Sequence, residues 1–168
     1  MATGDTVGVM LREAPPSTNY AELQYVGGGS TDAESITCWA LDDTTDEFID
    51  YYFRLNSYGC GGVTITIYWL SAAATSGNCV WGAAIRRVAD DAEDLDSSHT
   101  YSYTSATDAT ASAAGEVDYA VITITDGTNM DNIANTELGV LRITRDANNG
   151  SDTLVGDALL IGVVITET

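Results

Sequence analysis

One histidine, three cysteines and three tryptophans are the side chains here best suited to reactive or binding chemistry. His99 stands in a polar stretch, Asp96-Ser97-Ser98-His99-Thr100. A catalytic triad needs a histidine beside a nucleophile and an orienting acid, and no Gly-x-Ser-x-Gly turn is present to offer a serine. His99 is therefore expected at the surface or at the start of a strand. Cys38, Cys60 and Cys79 are odd in number, and none falls in a Cys-x-x-Cys pair. Neither a disulfide framework nor a zinc site is expected, and the three read as buried free thiols.

The carboxylates cluster at Asp42-Asp43, Asp46-Glu47, Asp90-Asp91, Glu93-Asp94 and from Asp146 to Asp152. Paired carboxylates cleave glycosides only when they face each other across a sugar-binding cleft. These clusters fall in turn-like stretches, which makes them solvated loops. Calcium takes several oxygen ligands, and Asp146–Asp152 loosely resembles a calcium loop. It lacks the ligand spacing and the distal glutamate, so an Asx-type hairpin turn is expected there and no cofactor, with calcium the one ion to consider. Arg142 and Arg145 precede that turn. In so acidic a chain an arginine is an organiser of carboxylates, and a pair such as Arg145 with Asp152 would pin the hairpin. Trp39, Trp69 and Trp81, with nine tyrosines, offer the rings of a sugar-stacking platform. Trp69 and Trp81 fall on apolar strand faces, where packing is the expected role. Tyr101 and Tyr103, beside a polar loop, are better placed for exposed contact. No catalytic residue and no metal ligand is assigned, and the chain is not expected to be an enzyme.

The composition bounds the partners. The chain has 168 residues, 45% of them hydrophobic, with 25 acids against 6 bases and a net charge of −19. All six bases are arginines. Such a surface repels phosphate backbones and anionic membranes, so no nucleic acid and no membrane is expected as partner. The acids read as solubilising surface, or as adaptation to a saline medium that screens their repulsion. The start of the chain has no basic stretch leading into an apolar run, and no stretch reaches 18 apolar residues. A signal peptide and a membrane span are not expected, which implies folding in a cytoplasm.

The elements that must position these groups read as strands. Val63–Trp69 alternates, with Val63, Ile65, Ile67 and Trp69 on one face and Thr64, Thr66 and Tyr68 on the other. Glu47–Leu55 puts Ile49, Tyr51, Phe53 and Leu55 together. Tyr20–Val26, Ile36–Leu41, Glu116–Thr125 and Leu138–Arg145 are further strands. Ala158–Thr166 is apolar on both faces, which places it inside a sheet. Val80–Val88 also fits a helical spacing, but Gly82 and the preceding Thr75-Ser76-Gly77-Asn78 turn favour a strand with Trp81, Ala83 and Ile85 inward. Residues 104 to 115, small and polar, read as a loop. About eight antiparallel strands with regular turns indicate an all-β, jelly-roll-like β-sandwich. The expected core includes Trp39, Phe53, Ile65, Ile67, Trp69, Trp81, Leu141, Ile143, Ile161 and Val163. Residues 1–33 read as an N-terminal arm and a Gly27-Gly28-Gly29-Ser30 linker, and 34–168 as the sandwich domain. The arm residues suited to strand addition on a neighbour are Val7, Val9, Leu11, Tyr20, Leu23 and Tyr25.

Four stretches taken in order resemble a family of tailed-phage virion structural proteins. They are Trp39–Glu47 leading into Tyr52-Phe53-Arg54-Leu55, Gly61–Trp69, Ala74–Gly82, and Leu141–Asp146 followed by Asp152-Thr153-Leu154 and Ala158–Val163. The resemblance covers residues 36 to 168. The family pattern commonly has a proline after the Phe-Arg-Leu strand, where this chain has Asn56. The resemblance implies a jelly-roll domain on the particle surface, often a homo-oligomer and here a homotrimer. Its leading role would be a capsid decoration (cement) protein that binds the outer face of the major capsid protein lattice and stabilises it. A tail or fibre surface module contacting the host, or a carbohydrate-binding module, are the alternatives. A charge of −19 fits the outside of a particle better than its DNA-filled interior.

Overall fold

The computed structural model describes residues 3–27 and 34–168. Ten strands follow one another among the described residues. They are β1 (Gly8–Ala14), β2 (Glu22–Gly27), β3 (Ser35–Leu41), β4 (Glu47–Leu55), β5 (Val63–Ser71), β6 (Asn78–Val88), β7 (Thr104–Ala109), β8 (Val117–Ile124), β9 (Leu138–Arg145) and β10 (Ala158–Glu167). A single turn of 3-10 helix, Gly127–Met130, drops Met130 into the core. The strands form two five-stranded antiparallel sheets, ordered β1-β4-β9-β6-β7 and β2-β3-β10-β5-β8.

The pairing identifies the fold. β3 pairs with β10, β4 with β9, β5 with β8 and β6 with β7. The chain is thus one long hairpin, closed at the β6–β7 connection and rolled so that its strands alternate between two sheets. This is a jelly roll. β10 lies in the middle of its sheet, as its two apolar faces require.

Period-2 patterning builds the core. Val63, Ile65, Ile67 and Trp69 of β5 are buried and face Trp81, Ala83 and Ile85 of β6 and Leu141 and Ile143 of β9 in one cluster. Trp69 and Trp81 meet edge to face at 5.7 Å, and Trp69 Nε1 donates to Asp108 at 2.8 Å. Gly139 is required in β9, because a Cβ there would lie 2.7 Å from the Phe53 ring. Of the expected core residues, Trp39 and Val163 are half-buried but still pack on the main cluster. Ile161 does not join it. A register shift in β10 between Leu160 and Gly162 turns Ile161 onto a small second cluster of Cys38, Ala40, Leu70 and Leu159.

Three expectations are corrected. Residues 104 to 115 are not wholly loop, since Thr104–Ala109 is β7, paired along β6. Its small polar residues hid the strand, because a sheet edge needs no strong apolar alternation. The described residues hold ten strands, where about eight were expected. Cys60 is exposed, whereas Cys38 and Cys79 are buried, and none of the three is paired.

Residues 3–27 add one edge strand to each sheet: β1 pairs with β4 and β2 with β3. Val7 is fully buried in the core and its amide donates to Ile165 at 3.2 Å. Val9 lies in β1 opposite Arg54, and its side chain falls outside the described residues. Leu11, Tyr20, Leu23 and Tyr25 are exposed. Of the expected Gly27-Gly28-Gly29-Ser30 linker, Gly27 ends β2 and residues 28–30 lie outside the described residues.

Candidate functional site

The outer face of the β1-β4-β9-β6-β7 sheet is not flat. Alternation directs Asp50 and Tyr52 of β4, Val140 and Arg142 of β9, and Arg86 of β6 away from the core. Asp50 lies opposite Arg142, which lies opposite Ala84. Ala84 and Gly82 leave a shallow floor, and a Cβ on Gly82 would meet Thr144 at 2.7 Å.

Two loops wall this face. The β6–β7 connection, residues 89–103, folds back across the sheet and brings His99, Tyr101 and Tyr103 over it. Residues 15–19, between β1 and β2, form the other wall. Two backbone bonds fasten it to β4: Phe48 N donates to Asn19 at 2.9 Å and Ala21 N to Phe48 at 2.9 Å. Pro15 and Pro16 stiffen the wall by fixing their own φ angles. Together the walls and floor enclose a cleft of about 760 Å³.

Arg142 is its centre. Nε and Nη2 donate to the two oxygens of Asp50, each at 2.7 Å. The Tyr101 ring lies over the guanidinium at 4.1 Å, and the Phe48 ring at 5.4 Å. Tyr103 stands 6.2 Å from Tyr101 and His99 5.1 Å from it. Burial alone would lower the Arg142 pKa, but the hydrogen bonds and charge of Asp50 more than reverse this, so it is held firmly cationic. Burial raises the Tyr101 pKa and pushes that of Tyr103 up to about 12, so both phenols stay neutral donors. His99 Nε2 lies 3.7 Å from Asp131. Arg86 completes the set. It is 6% exposed and gives Nη2 to the Asp94 carbonyl at 2.7 Å.

The arrangement presents planar hydrogen-bonding groups beside ring faces, held in place by packing. Such an arrangement can bind and orient a polar molecule with an apolar side. The sequence had singled out Tyr101 and Tyr103 for exposed contact, and both stand here, Tyr101 half-buried. His99, expected at the surface or a strand start, is half-buried in the cleft wall. Arg86, Asp50 and Phe48 were missed. Period 2 signals that they point outward, but not that a loop 89–103 covers them.

The other singled-out groups lie elsewhere. Arg145 and Asp152 do pair, at 2.8 and 3.1 Å, between the ends of β9 and β10. In the Asp146–Asp152 turn, Ser151 N donates to Asn149 Oδ1 at 3.1 Å, an Asx turn, while Asp152 also accepts from Val80 N at 2.9 Å. Trp69 and Trp81 are fully buried, so neither offers a ring to a ligand.

No protein-family model matches the chain, and no curated protein does. Among solved structures it is similar to TmCBM61 in complex with β-1,4-galactotriose, at TM-score 0.41 and 8% identity over 94% of this chain and 88% of that one. It is similar to TmCBM27, a carbohydrate-binding module that recognises mannan, at TM-score 0.40 and 9% identity over 96% and 98%. It is also similar to the enzymatically active domain of bacteriophage CBA120 tailspike protein 4, at TM-score 0.38 and 9% identity. That match covers 94% of this chain but spans only 19% of the tailspike chain.

Proposed function

We propose that this chain is a non-catalytic carbohydrate-recognition domain on the outside of a phage particle, carried by its tail or fibre, and that it holds glycan in the cleft over β4, β9 and β6. The observation that supports this reading is the Asp50–Arg142 pair stacked under Tyr101. A pyranose has a rim of neighbouring hydroxyls and an apolar C–H face. Rigid planar donors and acceptors match the first, and aromatic rings match the second. The cleft volume also falls within the usual range for small-molecule sites, about 300–1,000 Å³. The net charge of −19 suits an exterior position, since packaged DNA would repel it. No cofactor is needed for this role.

A glycan array probed with the whole protein tests the reading. Tyr101→Ala should weaken the strongest hit by about tenfold or more, the usual scale for losing a stacked ring and its hydroxyl. Binding that survives Tyr101→Ala unchanged would move the site elsewhere. Turnover of the bound glycan would make the domain an enzyme.

Capsid decoration is the second reading, and one surface favours it. The outward positions of β3, β10, β5 and β8 carry Ile36, Leu159, Val164, Tyr68, Val117, Tyr119 and Val121 and no charged residue. An uncharged face on so acidic a domain suits attachment to the major capsid protein or to copies of itself in a trimer. Copy number separates the two: hundreds of chains per particle mark decoration, a few to tens a tail or fibre.

A further inference from the structure

The four arginines of β6 and β9 are not treated alike. Arg87 is paired with Glu137 at 2.7 Å, Arg142 with Asp50 at 2.7 Å and Arg145 with Asp152 at 2.8 Å. Arg86 is as buried as Asp50, yet among the described residues no carboxylate lies within ion-pair distance of it. Its hydrogen-bond partner is the neutral Asp94 backbone carbonyl, while the Asp94 carboxylate acts on it only through space. Its Nε is buried and meets no acceptor. Leaving a buried guanidinium without a direct carboxylate partner is costly.

Arg86 lines the same cleft as Tyr101 and Arg142. The carboxylates that line the cleft with it are Asp50, whose two oxygens are both taken by Arg142, and the exposed Asp96. Neither of these carboxylates pairs with Arg86, and His99 stands at the wall. We infer that the cleft selects a sugar bearing a carboxylate, and that Arg86 is the group that receives it. This rests on the glycan-recognition reading and names the class of glycan. A guanidinium binds a carboxylate through a planar fork, which gives geometry as well as charge. Tyr101, anchored over Arg142 in the cleft that Arg86 also lines, would set the sugar ring so that its acid group meets Arg86.

The test uses the intact protein. The strongest carboxylate-bearing glycan from the array is titrated by calorimetry beside its carboxyl-reduced counterpart, which keeps the ring stereochemistry and carries a neutral CH₂OH in place of the carboxylate. Reduction should weaken binding by roughly 10- to 100-fold, the scale of a charge-assisted hydrogen bond. Arg86→Gln should bind both forms equally, and Arg86→Lys should keep part of the preference, with thermal unfolding followed for each variant. Equal binding of the two forms by the unaltered protein, or a preference that survives in Arg86→Gln, overturns the inference. Should the array return only neutral glycans whose binding is lost in Tyr101→Ala, the selectivity fails while the module reading stands. Should no glycan bind, both fall.

Discussion

Arg145 has no solvent exposure, and neither does most of its partner Asp152, with 2% of the side chain exposed. Its guanidinium also donates to the carbonyls of Leu41 at 3.2 Å, Gly156 at 2.8 Å and Leu154 at 2.7 Å. One side chain thus ties the end of β3 to the β9–β10 connection. This pair was legible in the sequence because its members stand seven residues apart across an Asn-Asn-Gly turn. Arg142 was legible only as an organiser of some carboxylate. Asp50 is 92 residues away, and the folded register alone makes it the partner. Arg86 was not legible, since what distinguishes it is a partner that is not supplied. Removing one member of a buried pair leaves the other charge uncompensated, which costs about 3–5 kcal/mol. Asp152→Ala should therefore destabilise the domain by that amount in chemical denaturation. A loss below about 1 kcal/mol would mean that the three carbonyls alone satisfy Arg145.

Strand patterns made most elements legible, and the rolled hairpin then decides which strand ends meet. β5 reads plainly because one face is apolar throughout. β7 does not, because Thr104, Ala106 and Asp108 face inward with little apolar surface. Acids distant in sequence gather where β2, β3, β4 and β10 end or begin. Glu22, Asp42, Glu47 and Asp157 line one small pocket there. Burial raises the pKa of Asp157, and Asp42 and Asp43 add to it, while Gln24 donates to its Oδ2 at 3.4 Å. Burial likewise raises Glu47. Asp42 moves the other way, lowered by its hydrogen bonds from Thr44. For Asp157 the folded pKa lies above the unfolded one, so its ionised form opposes folding. That opposition is absent below the unfolded pKa and grows as pH rises through the folded pKa. Asp157→Asn keeps an acceptor for Gln24 and removes the charge. It should stabilise the protein at pH 7 by up to about 1 kcal/mol, scaled down for partial exposure. The gain should vanish by about pH 3, below the ordinary aspartate pKa. A gain independent of pH would show that packing rather than charge is responsible.

Across the whole molecule the charge is unevenly distributed. The acids sit mainly in loops and strand ends, the outward face of β3, β10, β5 and β8 carries none, and two arginines meet in the cleft. Composition predicted the acidic surface, but the neutral face and the arginines of the cleft depend on which residues alternation turns outward and which loop covers them. A net charge of −19 on 168 residues opposes the compact state through self-repulsion. Salt shortens the range of that repulsion, from a Debye length of about 30 Å at 0.01 M to about 10 Å at 0.1 M. The ion pairs that hold the fold are mostly sheltered: Arg145–Asp152 is buried and Arg142–Asp50 nearly so. Buried pairs are screened far less than surface charges. Raising NaCl from 0.01 to 0.3 M should therefore stabilise the protein, lifting Tm by several degrees, where about 2–4 °C corresponds to 1 kcal/mol at this size. The rise should follow ionic strength and not the identity of the cation. Differential scanning calorimetry in NaCl, and in CaCl₂ at matched ionic strength, reads both. A Tm that falls with NaCl would mean that surface ion pairs outweigh the repulsion. A jump at micromolar CaCl₂ would instead place a specific cation among the loop carboxylates.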